Sequence, residues 1–273
     1  MLVVNTNVSS LNAQRNLNVS GKLMNKSLER LSSGLRINRA ADDAAGLAIS
    51  EGLRSQVRGL NQAVRNANDG ISLLSVAESS MVEMTNMLQR MRELSVQAAN
   101  DVNSTANRTA LQAEVDELSA EIDRVVDTIE FNGQALLDGP FAAKFLHVGA
   151  NASQTIQIDI SALDAATLGV DAASLDLSTN ALAGAAITSV DAALDTLNTE
   201  RADLGAKINR LESTVSNLMT VSENLAASDS RIRDADFASE TATLTKAQIL
   251  QQAGTAILAQ ANVTPQAALS LLG

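Results

Sequence analysis

Four ionised side chains crowd one short stretch, "LSSGLRINRAADDAAGLAISEGLRSQ". Arg36, Arg39, Asp42 and Asp43 lie between Gly34 and Gly46, which has the makings of an ion-binding or acid–base site. A second cluster, "SDSRIRDADFASE", places Arg231 and Arg233 beside Asp234 and Asp236. The other candidates for chemistry are weaker. His147 is the only histidine and there is no cysteine, so neither a His pair, an HExxH zinc helix nor a thiol nucleophile can be assembled. The run Met81, Met84, Met87, Met91 could be a soft-metal site, but its spacing already fits a helical seam. "SSGLR" and "NANDG" lack the strand–loop–helix order of a phosphate cradle, and acid pairs such as Asp116 and Glu117 fit a solvated helix face. No catalytic, cofactor or metal site is expected.

The elements around the two clusters are helical. Met24, Leu28, Leu31 and Leu35 keep one stripe apolar. The pattern resumes at Val57, Leu60, Val64, Ala67, Ile71 and Leu74, and continues through Ala77, Met81, Met84, Leu88 and Met91 with a register break after Leu74. A second segment uses Leu111, Val115, Leu118, Ile122, Val125 and Ile129. A third runs from Ile187 through Val190, Leu194, Leu197, Leu204, Ile208, Leu211, Val215 and Leu218, with Arg201 interrupting one seam position. Three such stripes must bury one another. "DVNSTANR", rich in cap residues, turns the chain between the first two, which makes them antiparallel.

From Phe131 the character changes. "FNGQALLDGP" carries two turn signals, "FLHVGA" is a short strand candidate, and Ile156, Ile158 and Ile160 alternate at period two. The stretch from Ala162 to Ala185 has weak periodicity and is expected to be irregular. The last segment puts Ala247, Leu250, Gly254, Ile257 and Ala261 on one face, and Thr264–Pro265 marks a helix stop and restart.

Composition agrees with helices laid side by side. Among 273 residues there is no Trp or Tyr, only four Phe and two Pro, so burial must come from small aliphatic side chains. The net charge of -11 and the absence of a Lys/Arg run argue against nucleic acid as a partner. The N-terminus shows no secretory-signal pattern and no window has the apolar length of a membrane span, so any export is expected to take another route.

The fold class is therefore mainly α: a long antiparallel coiled-coil rod formed by the N- and C-terminal regions, with a small β-hairpin region in the middle. Residues 1–34 and 237–273 form paired arms, each up to about 50–60 Å long at the usual helical rise. Residues 35–56 and 228–236 are charged joints, 57–139 and 187–227 the rod helices, and 140–186 the hairpin and an irregular return.

The two charged stretches, together with "NANDGISLLSVAE", "LQRMRELSVQAAN", "EIDRVVDTIEFNGQALLDG" and "ILAQAN", identify what the chain resembles: bacterial flagellin, over residues 2–139 and 187–273, in a minimal form without variable outer domains. The resemblance implies a non-enzymatic subunit that polymerises with itself into the helical filament used for motility. It implies export as an unfolded chain by the flagellar export apparatus with a flagellin chaperone, and contacts with filament-cap and hook-junction proteins at the extracellular flagellum. Surplus apolar stripes suit that role, since heterologous contacts that do not close build an open helix, and arms poor in aromatics are expected to order only when neighbours cover them.

By the same resemblance Gln89, Arg90 and Leu94, with Glu114 on the antiparallel helix, match the surface seen by the Toll-like flagellin receptor. Leu269, Leu271 and Leu272 match the tail sensed by cytosolic immune receptors, although Gly273 stands where a basic residue is frequent. The rival readings are a hook–filament junction protein, a surface-binding protein on the same fold, and a hydrolase. The lack of Trp and Tyr to stack on sugars counts against the second, and the lone His against the third. Arg36, Arg39, Asp42, Asp43, Arg231, Arg233, Asp234 and Asp236 then become paired joints, with Gly34 and Gly46 permitting the bend.

Overall fold

The computed structural model describes residues 6–139 and 141–269; of residues 264–269 it describes the backbone alone. Its elements in chain order are α1 (Val8–Ser33), α2 (Ala44–Ala98), α3 (Thr105–Thr128), β1 (Glu130–Phe131), β2 (Gln134–Ala135), β3 (Lys144–His147), β4 (Thr155–Ile158), α4 (Ala165–Leu168), α5 (Asn180–Arg233) and α6 (Phe237–Leu269). They form two compact units, one of Met1–Gln56 with Glu223–Gly273 and one of Val57–Ser222.

In the second unit one seam carries α2. Leu60, Ala63, Ala67, Gly70, Leu74, Ala77, Met81, Met84, Leu88, Met91, Ser95 and Ala98 alternate steps of three and four and are all buried. The expected register break is absent. The seam passes through the small residues Ala63 and Gly70, while Val64 and Ile71 are only half-buried beside it. Size explains the choice: a Cβ on Gly70 would lie 2.4 Å from Leu146 Cδ2, so glycine lets β3 lie on the helix without Leu146 having to move. Three of the four expected methionines fill the seam, Met81, Met84 and Met91 being fully buried, while Met87 is half-buried beside it. Val115, Ile122 and Val126 of α3 and Val190, Ala193, Leu197, Leu204 and Leu211 of α5 complete the core.

Two hairpins occupy the middle of the chain. Asn132 and Gly133 join β1 to β2 with φ of 51° and 73°, the doubly positive pair that a two-residue hairpin turn requires. β3 pairs antiparallel with β4, Leu146 opposite Ile156 and Phe145 opposite Gln157; Ile156 and Ile158 are buried, Phe145 and Gln157 exposed.

The return to α5 is irregular as expected, apart from the one-turn α4 and the first residues of α5, but it is firmly packed. Leu163, Leu168, Val170, Leu175 and Leu177 are buried, and α3 serves their backbone. Gln112 donates to the Leu175 carbonyl at 2.8 Å and accepts from the Leu177 N–H at 2.7 Å, while Asp123 accepts from Ala165 N–H at 2.8 Å. α5 starts at Asn180 rather than near Ile187, because Thr179 caps it, its hydroxyl accepting from Leu182 N–H at 3.3 Å.

In the first unit α1 and α6 run antiparallel along each other. α6 does not stop at Thr264–Pro265 but continues to Leu269. Proline forfeits one helical hydrogen bond, and the carbonyl it abandons, that of Ala261, accepts instead from Asn7 Nδ2 at 2.7 Å.

Candidate functional site

The joints expected at 35–56 and 228–236 are narrower: a short non-helical passage, residues 34–43, faces a three-residue break at 234–236, and the rest belongs to α2 and α5. Gly34 ends α1 in the left-handed conformation, φ 72°, its N–H bonded to the Arg30 carbonyl. The passage then pairs with the return chain: Arg36 N–H donates to the Arg233 carbonyl at 2.7 Å, Ala235 N–H to the Gly34 carbonyl at 2.9 Å, and Leu35 bridges Asp234. Ile37 beneath it is fully buried. Gly46 has a different role from the expected hinge. It lies in the first turn of α2, and a Cβ there would stand 2.5 Å from Asp43 Oδ2 and 2.8 Å from Ile37 Cδ1, so it is a point of close approach.

Each charged residue of the joint finds a partner, and among the described residues no joint arginine forms an ion pair with a joint aspartate. Asp43 caps α2 by accepting from Gly46 N–H at 2.8 Å, and Asp236 caps α6 by accepting from Ala238 N–H at 2.9 Å. Asp42 pairs with Lys26 at 2.9 Å and accepts from the Asn38 and Arg39 N–H groups. That lysine, ahead of the backbone donors, holds its carboxyl below the usual aspartate range. Asp234 accepts from Ser230 Oγ at 2.6 Å. Arg36 donates to the Ile232 carbonyl, Arg39 pairs with Glu29 at 2.7 Å, and Arg231 donates to Ser228 Oγ at 3.0 Å. Arg233 meets Glu51 at 2.9 Å and depresses its carboxyl. Asp43 and Asp236 thus start helices, while Arg36 ties a carbonyl and Arg39 and Arg233 tie glutamates.

Past the joint, the α1·α6 seam uses small and polar residues. On α1 it runs Ser10, Ala13, Leu17, Ser20, Met24, Ser27, Leu31; on α6, Glu240, Leu244, Ala247, Gln251, Gly254, Leu258, Ala261. Both alternate steps of three and four. Ser27 donates to Glu240 at 2.9 Å and Arg30 pairs with the same carboxylate at 2.6 Å. Gly254 admits Leu17, whose Cδ1 would sit 2.8 Å from a Cβ. Met24, Leu31, Ala247, Gly254 and Ala261 of the expected stripes lie on the seam, but Leu28, 47% exposed, Ile257, 60% exposed, and Leu250 lie off it, because Ser27, Gly254 and Ala261 let the backbones approach where larger residues would hold them apart. The bulky side chains, Val8, Leu11 and Val19 of α1 with Phe237, Ile249 and Ile257 of α6, face outward. Contiguous large apolar side chains left exposed in this way are characteristic of interaction surfaces. Ser27, Arg30, Glu51 and Glu240 were not singled out from sequence; the serines at seam spacing were the available signal.

In the other unit, Arg90 pairs with Glu114 at 2.8 Å and Glu93 at 3.1 Å, which raises its already high pKa, Glu114 contributing most. Gln89 is exposed beside it, but Leu94 is 1% exposed and belongs to the core. The Leu269 side chain, Leu271 and Leu272 fall outside the described residues. His147 sits exposed on β3, its carbonyl accepting from Asn66 Nδ2 at 3.0 Å. Among the described residues no three His, Cys, Asp or Glu side chains group as metal ligands, and no helix is long and apolar enough to cross a membrane.

Comparison with known proteins agrees with this geometry. The family model described as the bacterial flagellin N-terminal helical region matches residues 4–142, and that described as the C-terminal helical region matches residues 187–272. The flagellar filament 33 kDa core protein of Treponema phagedenis is 48% identical, the alignment covering 99% of this chain and 100% of that protein. Flagellin of Halalkalibacterium halodurans is 47% identical over 99% of this chain and 100% of its own. A putative flagellar hook-associated protein from Vibrio parahaemolyticus shares the fold, with a TM-score of 0.61 over 71% of this chain and 100% of that one at 14% identity. On the two family models and the full-length relatives, this chain belongs to the bacterial flagellin family.

Proposed function

We propose that the chain is the structural subunit of a flagellar filament, polymerising by burying the outward apolar sides of α1 and α6 against neighbouring copies. The observation that carries this reading is the set of large apolar side chains the arms leave uncovered: the intramolecular seam interleaves Ser, Ala and Gly with Leu17, Met24, Leu31, Leu244 and Leu258, and Leu11, Phe237, Ile249 and Ile257 remain exposed outside it. Copies joined through different patches make heterologous contacts that propagate as a helix. The family is structural rather than enzymatic. The test is seeded polymerisation followed by electron microscopy. Full-length protein should extend filament seeds, and a chain trimmed of both arms should not; equal behaviour of the two refutes the reading.

Export as an unfolded chain through the flagellar apparatus with its chaperone, and meetings with filament-cap and hook-junction proteins at the extracellular flagellum, follow from the same assignment. Secretion that survives loss of that apparatus would contradict it. The exposed Arg90–Glu114 pair with Gln89 is the surface offered to the Toll-like flagellin receptor, without buried Leu94. Arg90→Ala should weaken receptor binding by soluble monomer, and unaltered binding would remove the assignment.

A further inference from the structure

One side-chain amide near the start of α1 does two jobs. Asn7 Oδ1 accepts from Ser10 N–H at 3.0 Å and so caps α1. Its Nδ2 donates to the Ala261 carbonyl of α6 at 2.7 Å. In an α-helix that carbonyl bonds the N–H four residues on, which is position 265, where proline has none. Ala261 is buried, and an unserved carbonyl there is costly. Yet α6 continues through Pro265 to Leu269. Asparagine is suited to both duties at once, since its short amide offers an acceptor oxygen and a donor nitrogen as separate atoms. Ser10 Oγ, 2.8 Å from Asn262 Oδ1, adds a contact beside it.

We propose that Asn7 is a positioning residue that makes the last turns of α6 conditional on the docking of α1: it supplies the hydrogen bond that Pro265 cannot, so the helix beyond Ala261 holds when the N-terminal arm is in place and opens when it is not. The two chain ends are ordered together, and the C-terminal turns report on the N-terminal arm.

The test is a double-mutant cycle on the full-length chain in assembled filaments, read by hydrogen exchange over residues 262–269. Asn7→Asp keeps the oxygen that caps α1 and removes the donor. It should speed exchange about five- to tenfold, the effect of losing one bond to a buried carbonyl. In the Pro265→Ala background the helix N–H is restored, and Asn7→Asp should change exchange by less than about twofold. Unchanged exchange in the native background, or equal acceleration in both, overturns the proposal. If Asn7→Asp blocks filament growth, Pro265→Ala should restore it, and failure to restore it overturns the proposal as well. A parent chain that forms no filament refutes the assembly reading instead, and the cycle is then read on the soluble chain.

Discussion

Gly70→Ala tests the seam register of α2 through one methyl group. Gly70 is buried, and a Cβ there would lie 2.4 Å from Leu146 Cδ2 and 3.5 Å from Leu211 Cδ1. Leu211 is at ordinary contact distance, but Leu146 must retreat by about 1 Å, and overpacking of this kind costs about 1–3 kcal/mol. Against it stands the gain of about 1 kcal/mol for replacing glycine by alanine inside a helix. The substitution should therefore leave the protein about 0–2 kcal/mol less stable. In a Leu146→Ala background the obstruction is gone, so the same change should stabilise by about 1 kcal/mol, the helix contribution alone. The coupling between the sites is then about 1–3 kcal/mol. Urea unfolding followed by far-UV circular dichroism measures it, since the chain has no Trp or Tyr to report by fluorescence. If Gly70→Ala stabilises equally in both backgrounds, Gly70 does not face β3, and the seam runs through Ile71 with the broken register expected from sequence.

Met84→Ala removes a fully buried side chain from that seam and should cost about 2–4 kcal/mol in the same assay. Asp42 and Glu51, whose carboxyls are held below 3.8 and 4.5 by Lys26 and Arg233 respectively, stabilise the joint at pH above those ordinary values. The contribution is lost as pH falls through the lowered folded values, so the joint should persist at pH 5 and loosen in stronger acid; titration of either carboxyl by NMR at or above its ordinary value would refute this. Asp43→Ala removes the cap of α2, costing about 1 kcal/mol, and Arg36→Ala removes the tie to the Ile232 carbonyl. Each should lower filament yield while leaving urea unfolding of the Val57–Ser222 unit unchanged, and full yield from both would remove the joint from assembly.

Much of the helical plan was legible because heptad spacing repeats over many turns: Val115 and Ile122 on α3, Val190, Leu197, Leu204 and Leu211 on α5, Met81, Met84 and Met91 on α2 and the Asn132–Gly133 turn follow from pattern or turn chemistry, whereas Ser119, Val126 and Ala193 took core places beside the half-buried Leu118, Val125 and Leu194. What sequence obscured has a common cause. Hydrophobicity ranks Val64, Ile71 and Leu28 above Ala63, Gly70 and Ser27, whereas close helix approach selects by size. That reversal misplaced the seams and invented a register break. It also concealed the functional surface, since the larger residues left outside are the ones available to partners. The charged joint showed its location but not its chemistry, because capping and carbonyl contacts depend on where each helix begins. The return before α5 is irregular as read, but its fixed packing was hidden because Gln112 and Asp123, far off in sequence, serve its backbone. Pro265 marked a helix stop only while its replacement donor, more than 250 residues away, was out of view.

The central claim is that the exposed apolar sides of α1 and α6 are where copies meet. Leu11→Asp with Ile257→Asp puts two carboxylates on those sides at positions 57% and 60% exposed, where the cost to the folded chain should stay within about 0.5 kcal/mol each. Elongation of filament seeds by this variant, counted by electron microscopy against the parent at equal concentration, is the direct measurement. The account predicts an unchanged circular dichroism spectrum and elongation at least about tenfold slower, as burial of an unpaired charge at each contact requires. Elongation at the parental rate would contradict it.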